Sequence, residues 1–311
     1  MSSDVRRAAE ILRAGGLVAF PTETVYGLGA DASSASAVAR LYAAKGRPAD
    51  HPVIIHFAEA ATAFAWAAEV PDAARKLAAK FWPGPLTMVL KRSPKAKDFV
   101  TGGQDSVGLR VPSHPVAQAL LKEFGGGVAA PSANLFGNVS ATTAAHVRDE
   151  MKVDAILDGG PSEVGIESTI VDLSSGRPML LRPGHLSRAL LEEALQEKIF
   201  EKNLESPKHS GGLERHYAPK TPALLVPMHA LDKEIAKRGD SIAVLAFSRP
   251  DERVDYWIRM PRDPAAYAQK LYAALRELDS AGCATILIEA PPEGEEWTAV
   301  RDRLQRAAGS R

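Results

Sequence analysis

Short apolar runs alternate with segments of helical periodicity along the first two-thirds of the chain. In the segment 71–81, Leu77 and Phe81 share one face at a spacing of four residues, which is typical of a helix. We predict further helices over 4–16, 34–44 and 114–124. The apolar runs predict strands over 17–20, 53–57, 86–90, 107–111, 128–130, 155–157, 168–173 and 179–181. Helices interleaved with strands that are in places only a turn apart indicate an α/β fold with a mixed, twisted sheet.

The pattern changes at residue 196. Residues 196–221 are rich in Lys, Glu, Ser, Gly and Pro, and their apolar residues show no period. Connections of this length are usually functional. Beyond them we predict strands over 223–226, 241–247 and 284–289, a helix from the spacing of Tyr267, Leu271, Leu275 and Leu278, and a second helix over 297–307. The sequence therefore predicts a mixed-sheet domain over 1–195, a linker or lid over 196–221, and a smaller open, Rossmann-like α/β domain over 222–311.

Composition narrows the classes of function. Of the 311 residues 45% are hydrophobic, and Lys plus Arg balance Asp plus Glu at 38 each. A neutral chain has no overall basic field that attracts nucleic acid, so a polyanion must be bound by locally placed cations. No apolar run reaches the ~20 residues that span a bilayer, and no targeting segment is recognised, so we expect a soluble protein with no membrane partner. The single cysteine, Cys283, is expected to be a buried strand residue, and the lack of a disulfide partner favours the cytoplasm.

Three sites place basic residues where they could bind an anion. Lys45-Gly-Arg47-Pro48 ends the helix 34–44 on a constrained turn, where an ammonium and a planar guanidinium suit phosphate oxygens. A solvated helix end is an equal alternative there. Arg110 lies inside an apolar strand, where a charge needs a ligand carboxylate or phosphate, or else a protein ion pair. Arg182 follows another strand and is placed like a second phosphate ligand.

Polar turns follow several of the predicted strands. Residues 21–29 predict a turn with two glycines, but they lack the Rossmann and P-loop spacings, so a structural turn is the stronger interpretation. Ala130-Pro-Ser-Ala-Asn134 presents hydroxyl, amide and backbone N–H groups, and Ser140 could bind a ligand or cap the following helix. His56 ends an otherwise apolar strand, where a core histidine is commoner than a ligand.

Other chemistries have no matching pattern in the sequence. No group of His, Cys, Asp and Glu has transition-metal spacing, so no structural zinc is expected. No Ser-His-Asp or Cys-His arrangement predicts a covalent acyl-enzyme. The basic cluster Lys91, Arg92, Lys95 and Lys97 is interpreted as a solvated loop, with RNA contact as the alternative.

Seven motifs occur in the order of a known family. They are Thr22-Glu-Thr-Val-Tyr-Gly-Leu-Gly29, Lys45-x-Arg47-Pro48, Trp82-Pro-Gly-Pro-Leu-Thr87, Gly108-Leu-Arg-Val-Pro112, Pro131-Ser-Ala-Asn134, Glu167-Ser-Thr169 and Leu181-Arg-Pro-Gly184. With these motifs, residues 5–190 resemble the YrdC-like family. The linker motif His216-Tyr-Ala-Pro219 and the tail resemble the long form of the L-threonylcarbamoyladenylate synthases.

The resemblance implies a nucleotidyltransferase that makes L-threonylcarbamoyl-AMP from L-threonine, bicarbonate and ATP. Pyrophosphate is released, and the product serves the N6-threonylcarbamoyladenosine (t6A37) modification of tRNA. Mg2+ is expected on the ATP phosphates, with no metal site in the protein. By motif position, the threonine site comprises Thr24, His56, Arg110, the backbone at Ala130, and Ser168. The ATP site comprises Lys45, Arg47, His51, Ser106, Ser132, Ser140, Arg182 and Tyr217, of which Tyr217 is similar to the residue that closes over the nucleotide.

Two positions depart from the family pattern. His51 stands where an asparagine is expected, and Ser210-Gly-Gly-Leu213 replaces the commoner Ser-Pro-Gly-Met. The alternative function is an RNA-binding or ribosome-assembly protein that uses the same basic concave surface, which the balanced charge disfavours. Carbamoyl transfer in hydrogenase maturation would need zinc-finger and acylphosphatase segments, and the sequence has neither. tRNA and the enzymes that transfer the threonylcarbamoyl group are candidate partners.

Overall fold

The chain folds into two units. The computed structural model describes residues 3–213 and 215–309. The first unit comprises Met1–Phe136, Ala141–Glu163 and Glu167–Gly212, and the second comprises Gly137–Ser140, Val164–Ile166 and Leu213–Arg311. Two short segments from the middle of the chain therefore group with its last third. The boundaries predicted from composition, at residues 195 and 221, stay predictions.

The first unit contains a large mixed sheet. Its strands among the described residues are β1 Val18–Phe20, β2 Gly27–Asp31, β3 Ile55–His56, β4 Leu86–Lys91, β5 Ser106–Arg110, β6 Val128–Ala129, β7 Ala155–Ile156, β8 Thr169–Asp172, β9 Met179–Arg182 and β10 Phe200–Glu201. They lie in the order β10-β9-β8-β4-β5-β3-β6-β2-β1-β7. The pairs β3–β5 and β4–β8 are parallel, whereas β4–β5 and β8–β9 are antiparallel. The predicted mixed α/β fold is confirmed.

Helices cover both faces of this sheet. They are α1 Ser3–Arg13, α2 Ala35–Lys45, α3 Ala60–Phe64, α4 Asp72–Phe81, α5 Asp98–Thr101, α6 Pro115–Phe124, α7 Ala144–Glu150 and α8 Arg188–Leu195. Val18 and Phe20 of β1 belong to a core cluster with α1 and α6, whereas Ala19 belongs to the larger cluster with α2 and α4. This division follows from the alternation of side chains along a strand.

Local sequence signals set the ends of the helices near the site. Ser34 begins α2 by accepting a hydrogen bond from the N–H of Ala37 (3.3 Å). Gly46 ends α2 in the left-handed conformation, with a φ of 62°, which glycine adopts without steric cost. The predicted helix 34–44 is therefore confirmed to within a residue. Lys45 becomes the last residue of α2, and Arg47 begins the next turn.

Two predictions about particular residues are wrong. The double-glycine segment after β1 is strand β2 rather than a turn, and it pairs antiparallel with β1. Gly29 serves close packing there, because a Cβ on it would lie 2.9 Å from Val128 Cγ1 and 3.0 Å from the Phe20 ring. Cys283 is half-buried and precedes strand β14, so it is not a buried strand residue.

The second unit contains a smaller parallel sheet. Its described strands are β11 Ala223–Val226, β12 Ile242–Ala246, β13 Tyr256–Arg259 and β14 Thr285–Glu289, in the order β11-β14-β12-β13. Its helices are α9 Leu231–Ala236, α10 Pro264–Ser280 and α11 Thr298–Ala307, with 3₁₀ turns at Met228–Ala230 and Glu295–Trp297. The predicted apolar face of α10 is buried, which confirms the smaller α/β domain. Among the residues described, no helix is both long and apolar enough to cross a membrane.

Candidate functional site

Two arginines from distant parts of the chain meet at one residue of the linker. Arg182, the last residue of β9, donates from Nη1 to the carbonyl oxygen of Ser210 (2.9 Å). Arg47 donates from Nη2 to the Pro52 carbonyl (2.7 Å) and approaches the Ser210 hydroxyl at 3.5 Å. Both side chains are buried. The structure therefore brings together two of the cations that the sequence assigned to ATP.

Lys45 lies buried beside this arginine pair. Its Nζ donates to the carbonyl oxygen of Ser132 (2.6 Å) and to that of Asn134. Burial, together with the nearby charge of Arg47, lowers the pKa of Lys45 to about 7. The alternative of a solvated helix end is wrong for Lys45, which is only 2% exposed. Its ammonium instead supports the loop that contains Ser132, one of the residues assigned to ATP.

Arg110 forms a buried ion pair. Its Nη2 donates to Glu23 Oε1 (2.7 Å) and its Nη1 to Thr24 Oγ1 (2.9 Å). The Glu23 carboxylate also accepts from the N–H of Ser113 (3.1 Å). The ion-pair alternative is therefore realised, although Arg110 Nε has no hydrogen-bond partner within 3–213 and 215–309. Glu23 was missed as a partner because it pairs with a residue 87 positions away.

His56 lies beside Arg110 in the sheet. The two residues are register partners in the parallel pair β3–β5. Burial and the charge of Arg110 lower the pKa of His56 to about 3, so its ring is neutral at physiological pH. The ring also contacts Phe20 edge to face, with centroids 6.3 Å apart. His56 is thus a buried core residue and also the neighbour of Arg110 in the sheet.

Two buried hydroxyls connect the Arg110 strand with Arg182. Thr87 is the register partner of Arg110 in β4–β5, and its Oγ1 lies 2.8 Å from Ser168 Oγ. Arg182 donates from Nη2 to Ser168 Oγ (3.1 Å) and from Nε to the Ser168 carbonyl (3.0 Å). Thr87 was not assigned a role from the sequence. Its signal was a hydroxyl inside the apolar run 86–90.

Thr87 and Ser210 of this network also line a small pocket in the first unit. Ile54, Val89 and Ile170 give it an apolar wall, and Ser106, Thr87 and Gly108 lie along the strands. Lys208, His209 and Ser210 line it from the linker. The predicted ATP residue Ser106 is therefore part of the same hollow as the linker.

The linker is held to the pocket by a side-chain amide. Gln104 donates from Nε2 to the Lys208 carbonyl (3.1 Å) and accepts at Oε1 from the Lys208 N–H (2.6 Å). The ammonium of Lys208 also pairs with Asp50 (3.1 Å). Sequence reasoning missed Gln104 because only the tertiary structure places it opposite the linker backbone.

The remaining predicted residues of the first unit lie at the edge of this network. His51 packs edge to face against Phe136, with centroids 5.5 Å apart. Burial and Arg47 lower the pKa of His51. Ser132 contributes its carbonyl to Lys45, as described above. The N–H of Ala130 donates to the Ile54 carbonyl (3.0 Å), so that part of its backbone is already used in the sheet.

Ser140 and Tyr217 belong to the second unit. Ser140 is fully buried, and its carbonyl accepts from Arg276 Nε (3.3 Å). Tyr217 has a φ of 60° and is 1% exposed. Its ring stacks on Tyr272, with centroids 5.8 Å apart, and lies under the guanidinium of Arg303 at 5.2 Å. The structure thus places both residues against the helices of the second unit.

Two of the four cations in the basic cluster that could have contacted RNA pair with acids. Lys91 pairs with Glu69 (3.2 Å), and Arg92 pairs with Asp98 and with Asp105 (3.6 Å). The clustered cations are therefore partly neutralised, which favours the interpretation as a solvated loop. The buried cations around Ser210 suit a small polyanion better.

Two family models match consecutive parts of the chain. Residues 10–184 match the Sua5/YciO/YrdC family model, described as telomere recombination. Residues 186–309 match the model described as the threonylcarbamoyl-AMP synthase C-terminal domain.

Full-length relatives and solved structures agree with these matches. The chain is 39% identical to a threonylcarbamoyl-AMP synthase of Pyrococcus abyssi, over 99% of this chain and 94% of that protein. It is 37% identical to one of Bacillus subtilis, over 99% and 93%. The crystal structure of P. abyssi Sua5 complexed with L-threonine superposes with a TM-score of 0.91 at 38% identity, covering 98% of this chain and 94% of that one. The chain therefore belongs to the Sua5/YciO/YrdC family, in the form that carries the threonylcarbamoyl-AMP synthase C-terminal domain.

Proposed function

We propose that this protein synthesises L-threonylcarbamoyl-AMP from L-threonine, bicarbonate and ATP in the cytoplasm, with release of pyrophosphate. The product would supply the threonylcarbamoyl group of t6A37 in tRNA. Relatives that are 35–39% identical over nearly the full chain are named threonylcarbamoyl-AMP synthase, which supports this activity. The observation that carries the proposal is the convergence of Arg47 and Arg182 on Ser210, one through its hydroxyl and the other through its carbonyl, beside a pocket.

In this proposal the amino acid lies at the Arg110 end of the network. A carboxylate could accept from Arg110 Nε, the edge of the guanidinium that Glu23 and Thr24 leave open. A neutral His56 adds no positive charge that would compete for the carboxylate. The threonine residues are those that the motifs assign: Thr24, His56, Arg110, Ala130 and Ser168.

The nucleotide phosphates lie at the Arg47 end. Arg47 and Arg182 offer planar donors, and Lys45 is a buried ammonium whose pKa a phosphate would raise again. The full set assigned to ATP is Lys45, Arg47, His51, Ser106, Ser132, Ser140, Arg182 and Tyr217. Where Arg47 and Arg182 now contact Ser210, phosphate oxygens would take the place of its hydroxyl and carbonyl.

The reaction needs positioning more than a protein nucleophile. The threonine amine and bicarbonate combine to a carbamate with loss of water. A carbamate oxygen then attacks the α-phosphorus, and the bond from that phosphorus to the bridging oxygen breaks, its electron pair leaving with pyrophosphate. Fixed cations stabilise the charge that develops on the phosphate oxygens. Residues 208–210, which line the pocket, would keep water from the adenylate.

The residues present do not form a cage for Mg2+. In the part of the chain that the structure describes, no three His, Cys, Asp or Glu side chains come close enough to hold a metal ion. The pocket is lined instead by an ammonium, that of Lys208, and by the hydroxyl-bearing residues Thr87, Ser106 and Ser210. We therefore assign any Mg2+ that accompanies ATP to the phosphates and water, and no step is assigned to it.

Mass detection of the adenylate tests the proposed function. Incubation with ATP, threonine and bicarbonate is expected to give threonylcarbamoyl-AMP, and omission of any one substrate is expected to abolish it. Arg47→Ala and Arg110→Ala are each expected to abolish product while the protein stays folded. Lys80→Ala is the control, because Lys80 is exposed and forms its ion pair with an exposed glutamate, Glu193 (3.4 Å). Full activity of both arginine variants would remove the proposed site.

A further inference from the structure

One face of helix α10 holds two loops of the second unit. Tyr272, Arg276 and Asp279 follow each other at spacings of four and three residues, so they lie on the same side of the helix. Tyr272 stacks on Tyr217. Asp279 accepts from the N–H groups of Lys220 (3.1 Å) and Thr221 (2.7 Å). This polar face is distinct from the apolar face predicted from the sequence.

Arg276 binds the short loop that contains Ser140. Its Nε donates to the Ser140 carbonyl (3.3 Å), and its Nη2 donates to the Val139 carbonyl. Val139 and Ser140 are 3% and 0% exposed, so water cannot readily replace the guanidinium. A buried carbonyl that loses its donor is costly, and the loop would shift to recover one. Arg276 therefore fixes two successive peptide groups.

The other end of the loop is fixed by the linker. The N–H of Ala218 donates to the Gly137 carbonyl (2.9 Å), and Asn138 forms a parallel bridge with Ala218. The loop 137–140 is thus bound at both ends within the second unit. Arg276 contacts the carbonyls of Val139 and Ser140 themselves, whereas the linker contacts Gly137 and Asn138.

We infer that Arg276 is a positioning residue for the nucleotide. It holds the backbone of Ser140 and so sets the position of the side chain that the proposed function assigns to ATP. The inference rests on the proposed function, in which Ser140 is an ATP ligand. It gives helix α10 of the C-terminal domain a role, because its guanidinium orders the loop 137–140 within the second unit.

Steady-state kinetics of Arg276→Ala tests this inference. Loss of both hydrogen bonds is expected to raise the KM for ATP about tenfold or more, because small displacements of a ligand group are costly. The KM for threonine is expected to stay within about twofold of the wild-type value. Arg276→Lys keeps the charge and can reach one carbonyl, so it is expected to recover part of the ATP affinity. Lys270→Ala is the matched control, since this exposed residue of α10 donates to the Arg259 carbonyl (2.7 Å), away from the loop 137–140.

Three outcomes would overturn the inference. An unchanged KM for ATP in folded Arg276→Ala is one, and an equal rise of the KM for ATP and for threonine is another. The third is a lysine variant no better than the alanine variant. If the alanine variant does not fold, the ATP affinities of Arg276→Lys and wild type are compared by calorimetry instead. If wild type itself makes no adenylate, the proposed function fails; if only the Arg276 comparison fails, the proposed function stands.

Discussion

Replacing Glu23 by glutamine is expected to destabilise the protein through Arg110. The two side chains are each 5% exposed and are joined by a 2.7 Å hydrogen bond. Charge centres in such a pair lie roughly 4 Å apart, and at an effective dielectric constant of about 20 they attract by about 4 kcal/mol. Glutamine keeps the shape and one acceptor but leaves the guanidinium charge buried and uncompensated. We therefore expect the free energy of unfolding to fall by about 3 kcal/mol, the lower end for breaking a buried pair.

Urea unfolding of four proteins measures this effect: wild type, Glu23→Gln, Arg110→Met and the double variant. Because the double variant leaves neither charge unpaired, it is expected to lose less stability than the sum of the two single variants, with a coupling of at least about 1 kcal/mol. Glu193→Gln is the control for an exposed pair, and it is expected to change the free energy of unfolding by at most about 0.5 kcal/mol. If Glu23→Gln is no more destabilising than Glu193→Gln, the pair does not act as a buried ion pair.

Three further predictions concern residues around the pocket. The pKa of Lys45 is about 7 in the folded chain, against its ordinary value of 10.5. Between about pH 7 and pH 10.5 the unfolded chain therefore binds more protons at this lysine than the folded chain does. Because of this difference, Lys45 makes the free energy of unfolding rise with pH across that window. Lys45→Met is expected to remove that part of the rise in Tm, and an identical pH profile would contradict the assignment. With its pKa near 3, His56 is expected to show constant ring ¹⁵N shifts between about pH 5 and about pH 8, whereas a midpoint near its ordinary pKa of 6.5 would refute its neutral state. Gln104→Ala removes both bonds to the Lys208 backbone and is expected to speed deuterium exchange of the Lys208 amide about tenfold; unchanged exchange would show that Gln104 does not hold the linker.

Segments with a strong local pattern were predicted well. Helix α4 was expected over 71–81 and is observed at Asp72–Phe81, because its apolar spacing and its ends are local features. Strand β2 was missed, since Gly27–Asp31 carries glycines that ordinarily mark a turn. What makes it a strand is the space left by Phe20 and Val128, and neither residue lies within the segment.

Local sequence patterns were enough to predict most of the helices and strands, the change in pattern at the linker, and the cations that suit a polyanion. These features depend on neighbours within a few residues, where periodicity, caps and residue chemistry act. Three features depend on long-range contacts that no local pattern shows. Arg110 pairs with Glu23, Lys45 is buried, and Arg47 and Arg182 meet at Ser210, 163 and 28 positions away. Such contacts depend on which groups the fold brings together out of water, because the strength of a charge interaction is set by distance and burial rather than by order along the chain.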